Sequence, residues 1–237
     1  QDEEKLGGRI DMESYFEIKN LKINYHTFEG KKNILDIEHL KIEKGKTYGL
    51  VGESGAGKTV LALAILGLLA TPPGEIESGQ IYFDGEELLS KNEEEMRHIR
   101  GKKIAMIFQD PMSSLNPVFT VGYQMRQIIM KNQNVKEKEA DQIALKMIET
   151  VKLPDAENVM KKYPHQLSGG QRQRIIIAMA LSCGAEMLIA DEPTRNLDVT
   201  IQAGILKLLK ELQEKLKVTV LFIANNLGLV SAICDEI

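Results

Sequence analysis

The chain has 237 residues, of which 43% are apolar and 27% are charged, a balance typical of a folded globular domain and not of a disordered or fibrous protein. A net charge of −4 argues against nucleic acid or an anionic lipid surface as a partner. The longest apolar run, residues 60–70, has about half of the roughly 20 residues that a membrane-spanning helix needs, so any membrane link is expected through a partner protein.

Residues 1–13 are predicted to form a flexible tail or a leftover of the cloned sequence, because this polar stretch lacks the basic-then-apolar order of a signal peptide. The folded domain is predicted over residues 14–237. The two cysteines, Cys183 and Cys234, lack CxxC spacing and are predicted to be free thiols, which indicates a reducing compartment. The four histidines are scattered, so their spacing predicts no metal site.

Apolar and polar residues partly alternate over residues 15–25 and 34–42, a pattern that predicts half-buried antiparallel strands. Residues 110–165 have helical periodicity and almost no strand signal, and we interpret them as a helical lobe inserted into an α/β core. Alternating strands and helices elsewhere predict a parallel sheet covered on both faces. The other predicted strands are 47–51, 80–83, 104–108, 187–190 and 218–224, and the predicted helices are 58–69, 121–130, 138–151, 170–182 and 199–216.

A glycine-rich loop joins the strand at 47–51 to the helix that begins at residue 58, and it matches the phosphate-binding pattern GxxxxGK[ST]. Glycines allow backbone N–H groups to turn inward around the β- and γ-phosphates, and the helix presents its positive N-terminal end. Lys58 adds a point charge, and the Thr59 hydroxyl can bind Mg²⁺. A plain glycine-rich turn is the alternative. The predicted nucleotide-binding residues of this loop are Gly52, Glu53, Ser54, Gly55, Ala56, Gly57, Lys58 and Thr59.

The apolar strand at 187–190 is followed by two carboxylates, Asp191 and Glu192. Such a strand delivers its terminal side chains to the carboxyl edge of the sheet, where open α/β folds bind ligands. Asp191 is predicted to hold Mg²⁺ through water, and Glu192 is predicted to polarise the attacking water as a general base. A solvated pair of loop carboxylates is the alternative.

Residues 167–171 read LSGGQ, and through this motif the chain resembles the ATPase subunits of ABC transporters, of which LSGGQ is the defining sequence. Ser168 is suited to cap a helix, and Gly169 and Gly170 expose N–H groups at the helix start, which makes a second anion-binding end. The resemblance implies a head-to-tail dimer in which Ser168, Gly169, Gly170 and Gln171 close on the γ-phosphate held by the partner's phosphate loop. A simple helix cap is the alternative for the motif alone.

Three further positions match family motifs. Gln109, at a strand end, matches the Q-loop glutamine, which the family uses as a contact to Mg²⁺ and water at the hinge of the helical lobe. Tyr25 stands where the family stacks an aromatic ring on adenine, and Asp198 matches the D-loop aspartate that touches the partner's site. From the residues alone, Gln109 can also be a polar strand end, Tyr25 a core residue and Asp198 a solvated helix cap.

The segments 108–117, 164–170 and 198–202 resemble the ATPases of oligopeptide, dipeptide and nickel importers, and the resemblance runs from Phe16 to Ile237. Members of that branch usually continue with further strands and a C-terminal extension. The sequence is therefore expected to lack the C-terminal end of the domain.

Two departures from the family pattern fall near the catalytic motifs. The family usually reads TALD where residues 195–198 read RNLD here, and it has a switch histidine where this chain has Asn225. Asparagine can donate a neutral hydrogen bond, but it cannot carry a positive charge and is shorter than imidazole. We therefore expect Asn225 to slow hydrolysis while leaving ATP affinity nearly normal.

Together the motifs predict an α/β fold with a P-loop nucleoside-triphosphatase core, a small antiparallel β lobe and the inserted helical lobe. The resemblance implies an ATPase that uses ATP and Mg²⁺ at the cytoplasmic face of the cell membrane to energise import of peptides or nickel. The implied partners are membrane permease subunits, a second ATPase subunit, identical or similar, and indirectly an external solute-binding protein, but no nucleic acid.

Two other functions remain open from the sequence. The first is a nucleotide-switched binding module that closes on ATP and hydrolyses little by itself. The second is a non-transport ABC ATPase acting on DNA or ribosomes, although the chain has neither a long coiled-coil insertion nor a tandem second motif set, and it lacks a basic patch.

Overall fold

The computed structural model describes residues 15–110 and 114–237. The predicted tail, residues 1–13, and Pro111, Met112 and Ser113 of the importer-like segment 108–117 lie outside the described residues. The strands are β1 Phe16–Thr27, β2 Gly30–Ile42, β3 Thr47–Val51, β4 Gly74–Phe83, β5 Glu86–Glu87, β6 Ile104–Ile107, β7 Met187–Asp191 and β8 Thr219–Ala224. The helices are α1 Lys58–Ile65, α2 Glu93–Ile99, α3 Val121–Gln133, α4 Glu137–Thr150, α5 Ala156–Lys161, α6 Gly169–Leu181, α7 Val199–Leu216 and α8 Leu227–Ile233, and a 3-10 turn covers Pro164–Gln166.

Strands β3, β6, β7 and β8 form a parallel sheet in the order β3-β8-β7-β6. Both faces of this sheet are covered by other parts of the chain, since all residues of strand β7 are buried. Leu188 and Ala190 pack into a core with helices α6 and α7, whereas Met187 and Ile189 pack into a second core with Leu61 of α1. Neighbouring residues of a strand point to opposite faces, so a sheet covered on both sides requires an uninterrupted apolar segment. The predicted parallel core is confirmed.

A second, antiparallel sheet has the order β2-β1-β4-β5. In its strand β1, the residues Phe16, Ile18, Leu21 and Ile23 are fully buried and contribute to the core that α1 also lines. The alternation breaks after Ile18, where the pairing of β1 with β4 shifts register. Gly79 of β4 has a φ of +105°, and a Cβ at that position would lie 2.4 Å from the Cα of Leu21. This sheet is the predicted small β lobe.

Helices α3, α4 and α5 follow β6 and contact one another, and α4 also contacts α6. These contacts confirm a helical lobe, although its bounds, 110–165, remain a prediction. In the described residues, every helix is too short or too polar to cross a bilayer. The buried side chains recur at intervals of four, a helical spacing, at Val121, Met125 and Ile129 on α3 and at Ala140, Ala144 and Ile148 on α4.

Helix α1 ends at Ile65, four residues before the predicted end at residue 69. The N–H of Gly67 donates to the carbonyl of Ala64, and the N–H of Leu68 donates to the carbonyl of Leu63. Gly67 has a φ of +60°. This pair of bonds is the Schellman arrangement, which closes helices at a left-handed glycine. Gly67 therefore ends the helix before the prolines at 72 and 73 are reached.

Helices α2 and α8 fall outside every predicted element. Helix α2 nevertheless begins with a recognisable cap, because the side chain of Asn92 accepts a hydrogen bond from the N–H of Glu95, and the Glu95 carboxylate accepts one from the N–H of Asn92. Strand β4 begins at residue 74, whereas the prediction starts it at residue 80. The added part of β4 pairs with the far end of β1, up to the pair of Tyr25 with Gly74.

Candidate functional site

The loop between β3 and α1 has the backbone that the phosphate-binding pattern requires. Gly55 and Gly57 have φ values of +86° and +83°, which other residues rarely adopt. A Cβ at Gly57 would lie only 2.8 Å from the carbonyl oxygen of Ile34. Gly57 is also the N-cap of α1 and provides no side-chain hydrogen bond to the first turn. The N–H groups at the start of α1 therefore have no side-chain cap, which suits an anion.

Lys58 lies inside this loop and is only 7% exposed. Its Nζ donates hydrogen bonds to the carbonyl oxygens of Gly52, at 2.8 Å, and Glu53, at 2.7 Å. A buried ammonium needs such partners, because an unpaired charge away from water is costly. The loop thus holds one positive charge close to the uncapped N–H groups of α1.

Thr59, the next residue, bridges to the end of strand β7. Its Oγ1 donates to Oδ2 of Asp191 at 2.6 Å, and Asp191 is only 1% exposed. Burial raises the pKa of the Asp191 carboxyl above its usual range, while the Thr59 hydrogen bond offsets part of the rise. A hydroxyl and a buried carboxylate are oxygen ligands of the kind that Mg²⁺ prefers, so this pair fits the predicted metal site.

Gln109 and Glu192 meet because strands β6 and β7 are neighbours in register. Ile107 pairs with Ala190, so Gln109 and Glu192, which each lie two residues farther along the chain, come to lie side by side. Nε2 of Gln109 donates to Oε2 of Glu192 at 3.0 Å. Glu192 has a φ of +44°, in the left-handed region that non-glycine residues occupy mainly at functional sites.

Asn225 follows strand β8, which lies between β3 and β7. Its side chain and that of Glu192 line one cavity of about 240 Å³. Arg195 lines the same cavity, and its Nη1 lies 3.3 Å from Oε2 of Glu192. Arg195 is thus a site residue that the sequence motifs do not predict.

The LSGGQ segment lies elsewhere in the chain. Ser168 caps α6, accepting a hydrogen bond from the N–H of Gln171, whose side chain in turn accepts one from the N–H of Ser168. Gly170 packs against α7, and a Cβ there would lie 2.8 Å from Cγ2 of Ile201. Helix α6 contacts β6, the strand at the other end of the sheet order from β3, which the phosphate loop follows.

The roles predicted for Asp198 at the partner's site and for Tyr25 on the adenine ring stay predictions. Asp198 caps helix α7, accepting from the N–H of Ile201 at 3.0 Å, which agrees with the simpler alternative considered for it. Tyr25 is half-buried on β1 and pairs with Lys32 of β2. Strand β2 also carries Ile34, whose carbonyl approaches the phosphate loop, so Tyr25 lies on the sheet that borders the loop.

The chain matches a known protein family and is similar to several known proteins. Residues 35–195 match the family model described as ABC transporter. The chain is 43% identical over 221 residues to the oligopeptide transport ATP-binding protein OppD of Bacillus subtilis (strain 168), covering 93% of this chain and 62% of OppD. It is 44% identical over 226 residues to the dipeptide transport ATP-binding protein DppD of the same organism, covering 95% and 68%.

Among solved structures, the chain is similar to the ATP-binding cassette MJ0796 in a dimeric post-hydrolysis state bound to ADP and Pi. The TM-score is 0.77 at 28% identity, and the match covers 90% of this chain and 89% of the cassette. The chain thus has nearly the extent of a single cassette, while it spans less than two thirds of the length of OppD.

Proposed function

Because this chain belongs to the ABC transporter family, we propose that it is the ATP-binding and ATP-hydrolysing subunit of an importer of peptides or nickel. Two hydrogen bonds carry the proposal, one between Thr59 and Asp191 and one between Gln109 and Glu192. Each bond joins residues that are far apart in the sequence. OppD is an oligopeptide transport protein and DppD a dipeptide transport protein, which supports peptides as the cargo. Nickel is supported by the sequence resemblance alone.

The phosphate loop, residues 52–59, binds the β- and γ-phosphates of ATP in this proposal. The left-handed glycines turn backbone N–H groups inward, and Lys58 exchanges its carbonyl partners for phosphate oxygens. Tyr25 stacks on the adenine ring. Thr59, Asp191 and the amide oxygen of Gln109 would hold Mg²⁺, which would neutralise charge on the phosphates.

Glu192 acts as the general base of the hydrolysis step. The carboxylate accepts a proton from the attacking water, whose oxygen forms a bond to the γ-phosphorus. The bond from that phosphorus to the bridging oxygen breaks, and ADP leaves with the electron pair. Gln109 keeps the carboxylate in place, and Asn225 donates a neutral hydrogen bond to the γ-phosphate as charge develops there.

A second ATPase subunit, identical or similar, completes the site. The helix end at Ser168, Gly169, Gly170 and Gln171 serves the nucleotide of the other subunit, and the contact of its helix with β6, the strand farthest from β3, supports this role. Asp198 lies beside that helix end and contacts the partner's site. The dimeric state of MJ0796 supports a two-subunit site. ATP then closes two subunits, and hydrolysis releases them.

Membrane permease subunits are the partners that turn closure into transport, which places the chain at the cytoplasmic face of the cell membrane. An apolar cavity of about 500 Å³ supports this docking, because it lies between the end of α1, strand β6 and the helical lobe. Leu68 and Phe108, which line it, are each 42% exposed. An external solute-binding protein delivers the cargo to the permease and contacts this chain only indirectly.

Phosphate release from the isolated chain, followed with MgATP under single-turnover conditions, tests the enzymatic part of the proposal. Co-purification from detergent-solubilised membranes tests the permease part, with Leu68→Asp and Phe108→Asp as variants that should lose the permease while keeping turnover. An exposed apolar residue outside this cavity, Phe28, gives the matched control Phe28→Asp. Retention of permease by the two cavity variants would contradict docking at this cavity.

Asn225→His should raise kcat about tenfold or more, because the imidazole restores a longer and chargeable donor at the γ-phosphate. Loss of one preorganised donor of this kind costs roughly 10² to 10³ in rate. The donor acts on charge that develops in the transition state, so the affinity for ATP should stay nearly constant. Steady-state turnover and calorimetry measure the two quantities.

The matched control for Asn225→His is Asn158→His, which introduces the same side chain on the exposed surface of helix α5. If Asn225→His hydrolyses ATP no faster than the control, Asn225 does not act at the γ-phosphate. If instead the unmodified chain binds ATP but releases no phosphate, while Asn225→His does, the chain works as a nucleotide-switched binding module.

A further inference from the structure

Arg195 contacts Glu192, the residue proposed as the general base. Its Nη1 lies 3.3 Å from Oε2 of Glu192. The side chain of Glu192 is 11% exposed and that of Arg195 is 49% exposed, so a half-exposed guanidinium contacts a largely buried carboxylate. Asn225 lines the same cavity. Glu192, Arg195 and Asn225 therefore share one small space.

The backbone conformation around Glu192 favours its contact with Arg195. Glu192 has a φ of +44°, and its N–H donates to the carbonyl of Ile223 on strand β8 at 2.9 Å. The N–H of Arg195 then donates to the carbonyl of Glu192 at 3.1 Å, which closes a turn. The turn holds the two side chains on the same side, and the anchored N–H of Glu192 fixes the turn against the sheet.

One hydrogen-bond donor and one cation meet at the same oxygen of the Glu192 carboxylate. Oε2 accepts from Nε2 of Gln109 at 3.0 Å and contacts Nη1 of Arg195 at 3.3 Å. Within residues 15–110 and 114–237, the other oxygen, Oε1, has no hydrogen-bond partner from the protein. A carboxylate fixed at one oxygen from two separate loops keeps the other oxygen available and oriented, which is what proton abstraction from a water molecule requires.

We propose that Arg195 is a positioning residue for ATP hydrolysis: together with Gln109 it fixes Oε2 of Glu192, so that Oε1 is aimed at the attacking water. This inference rests on the proposed function. It assigns to Arg195 an effect on the rate of hydrolysis that passes through Glu192. A direct contact of Arg195 with the γ-phosphate is the competing role, and it differs in its effect on ATP affinity.

The first test compares Arg195→Thr with Arg195→Lys. Single-turnover hydrolysis with excess protein measures the rate, and calorimetry measures ATP affinity. Arg195→Thr is expected to lower the rate about tenfold with ATP affinity changed less than about twofold, because a misplaced general base affects the chemical step. Arg195→Lys keeps the charge and should recover about half of the loss on a logarithmic scale. Arg97→Thr removes an arginine from an exposed i,i+4 pair with Glu93 and should have no effect.

The second test asks whether the effect depends on Glu192. Adding Arg195→Thr to Glu192→Gln should change the residual rate by less than about twofold, since the group that Arg195 positions is no longer a base. A tenfold loss that persists in Glu192→Gln, or a loss of ATP affinity, would assign Arg195 to the phosphate and overturn the positioning role. An unchanged or increased rate in Arg195→Thr would overturn it as well.

The two proposals fail in different ways. If the folded, unmodified chain binds no ATP, the proposed function is wrong, and the positioning role falls with it. If the chain binds and hydrolyses ATP while Arg195→Thr behaves like Arg97→Thr, the positioning role alone is wrong. Thermal unfolding of every variant shows whether the fold is intact, so that a change in rate is not mistaken for unfolding.

Discussion

Lys58→Ala is expected to abolish ATP binding at micromolar nucleotide concentrations. Lys58 is the only basic residue of the phosphate loop, residues 52–59, and the loop already removes its ammonium from water. Removing one member of a buried, hydrogen-bonded charge pair costs about 2 to 5 kcal/mol, a loss of roughly 30- to 3,000-fold in affinity. Isothermal titration calorimetry with ATP measures the loss.

Lys152→Ala is the matched control, because this exposed lysine pairs with Glu211 far along the chain from the loop. It should bind ATP as the unmodified chain does. Lys58→Ala also leaves the carbonyls of Gly52 and Glu53 without their donor, so its folding must be checked by thermal unfolding. A folded Lys58→Ala variant with unchanged affinity would show that residues 52–59 do not bind the phosphates.

Glu192→Gln is expected to lower hydrolysis by roughly 10² to 10⁴, the usual contribution of a general base. The amide has nearly the size of the carboxylate and can still accept the hydrogen bond from Gln109, so ATP affinity should be retained. Because ATP then persists in the site, the variant should accumulate as an ATP-bound dimer. Phosphate release measures the first effect, and size-exclusion chromatography with ATP and without Mg²⁺ measures the second.

Glu186→Gln provides the control for Glu192→Gln. Glu186 precedes strand β7 at the end opposite to Glu192 and pairs with Lys44 at the surface. Normal hydrolysis is expected, together with no ATP-dependent dimer beyond that of the unmodified chain. Persistent monomers of Glu192→Gln at high protein concentration would argue against the head-to-tail arrangement, and undiminished phosphate release would argue against Glu192 as the base.

The site residues that follow strands can be predicted from the sequence, because short patterns of neighbouring residues identify them. An apolar strand followed by Asp191 and Glu192, and a glycine loop followed by Lys58, can each be recognised from neighbouring residues. The end of α1 also had a local signal, since Gly67 is the residue type that closes helices, and so had the start of α2 at Asn92.

What the sequence does not predict depends on distant parts of the chain. The pairing of Gln109 with Glu192 requires the order and register of β6 and β7, and the contact of Arg195 with Glu192 requires the left-handed backbone at Glu192. That backbone is held by the carbonyl of Ile223 on a third strand. Such a conformation cannot be inferred from the residue type, because glutamate rarely adopts it.

The strand order β3-β8-β7-β6 has a consequence for how the protein folds. Thr59 and Asp191 are 132 residues apart in sequence, and Gln109 and Glu192 are 83 residues apart. The contacts are therefore non-local and form only when the parallel sheet is assembled, a topology that slows folding. A newly made chain cannot offer both pairs to a nucleotide until β8 has inserted between β3 and β7. Nucleotide at 100 times its dissociation constant would then stabilise the fully folded state relative to partly folded states by about 2.7 kcal/mol. ATP in the cell would therefore favour correctly assembled chains.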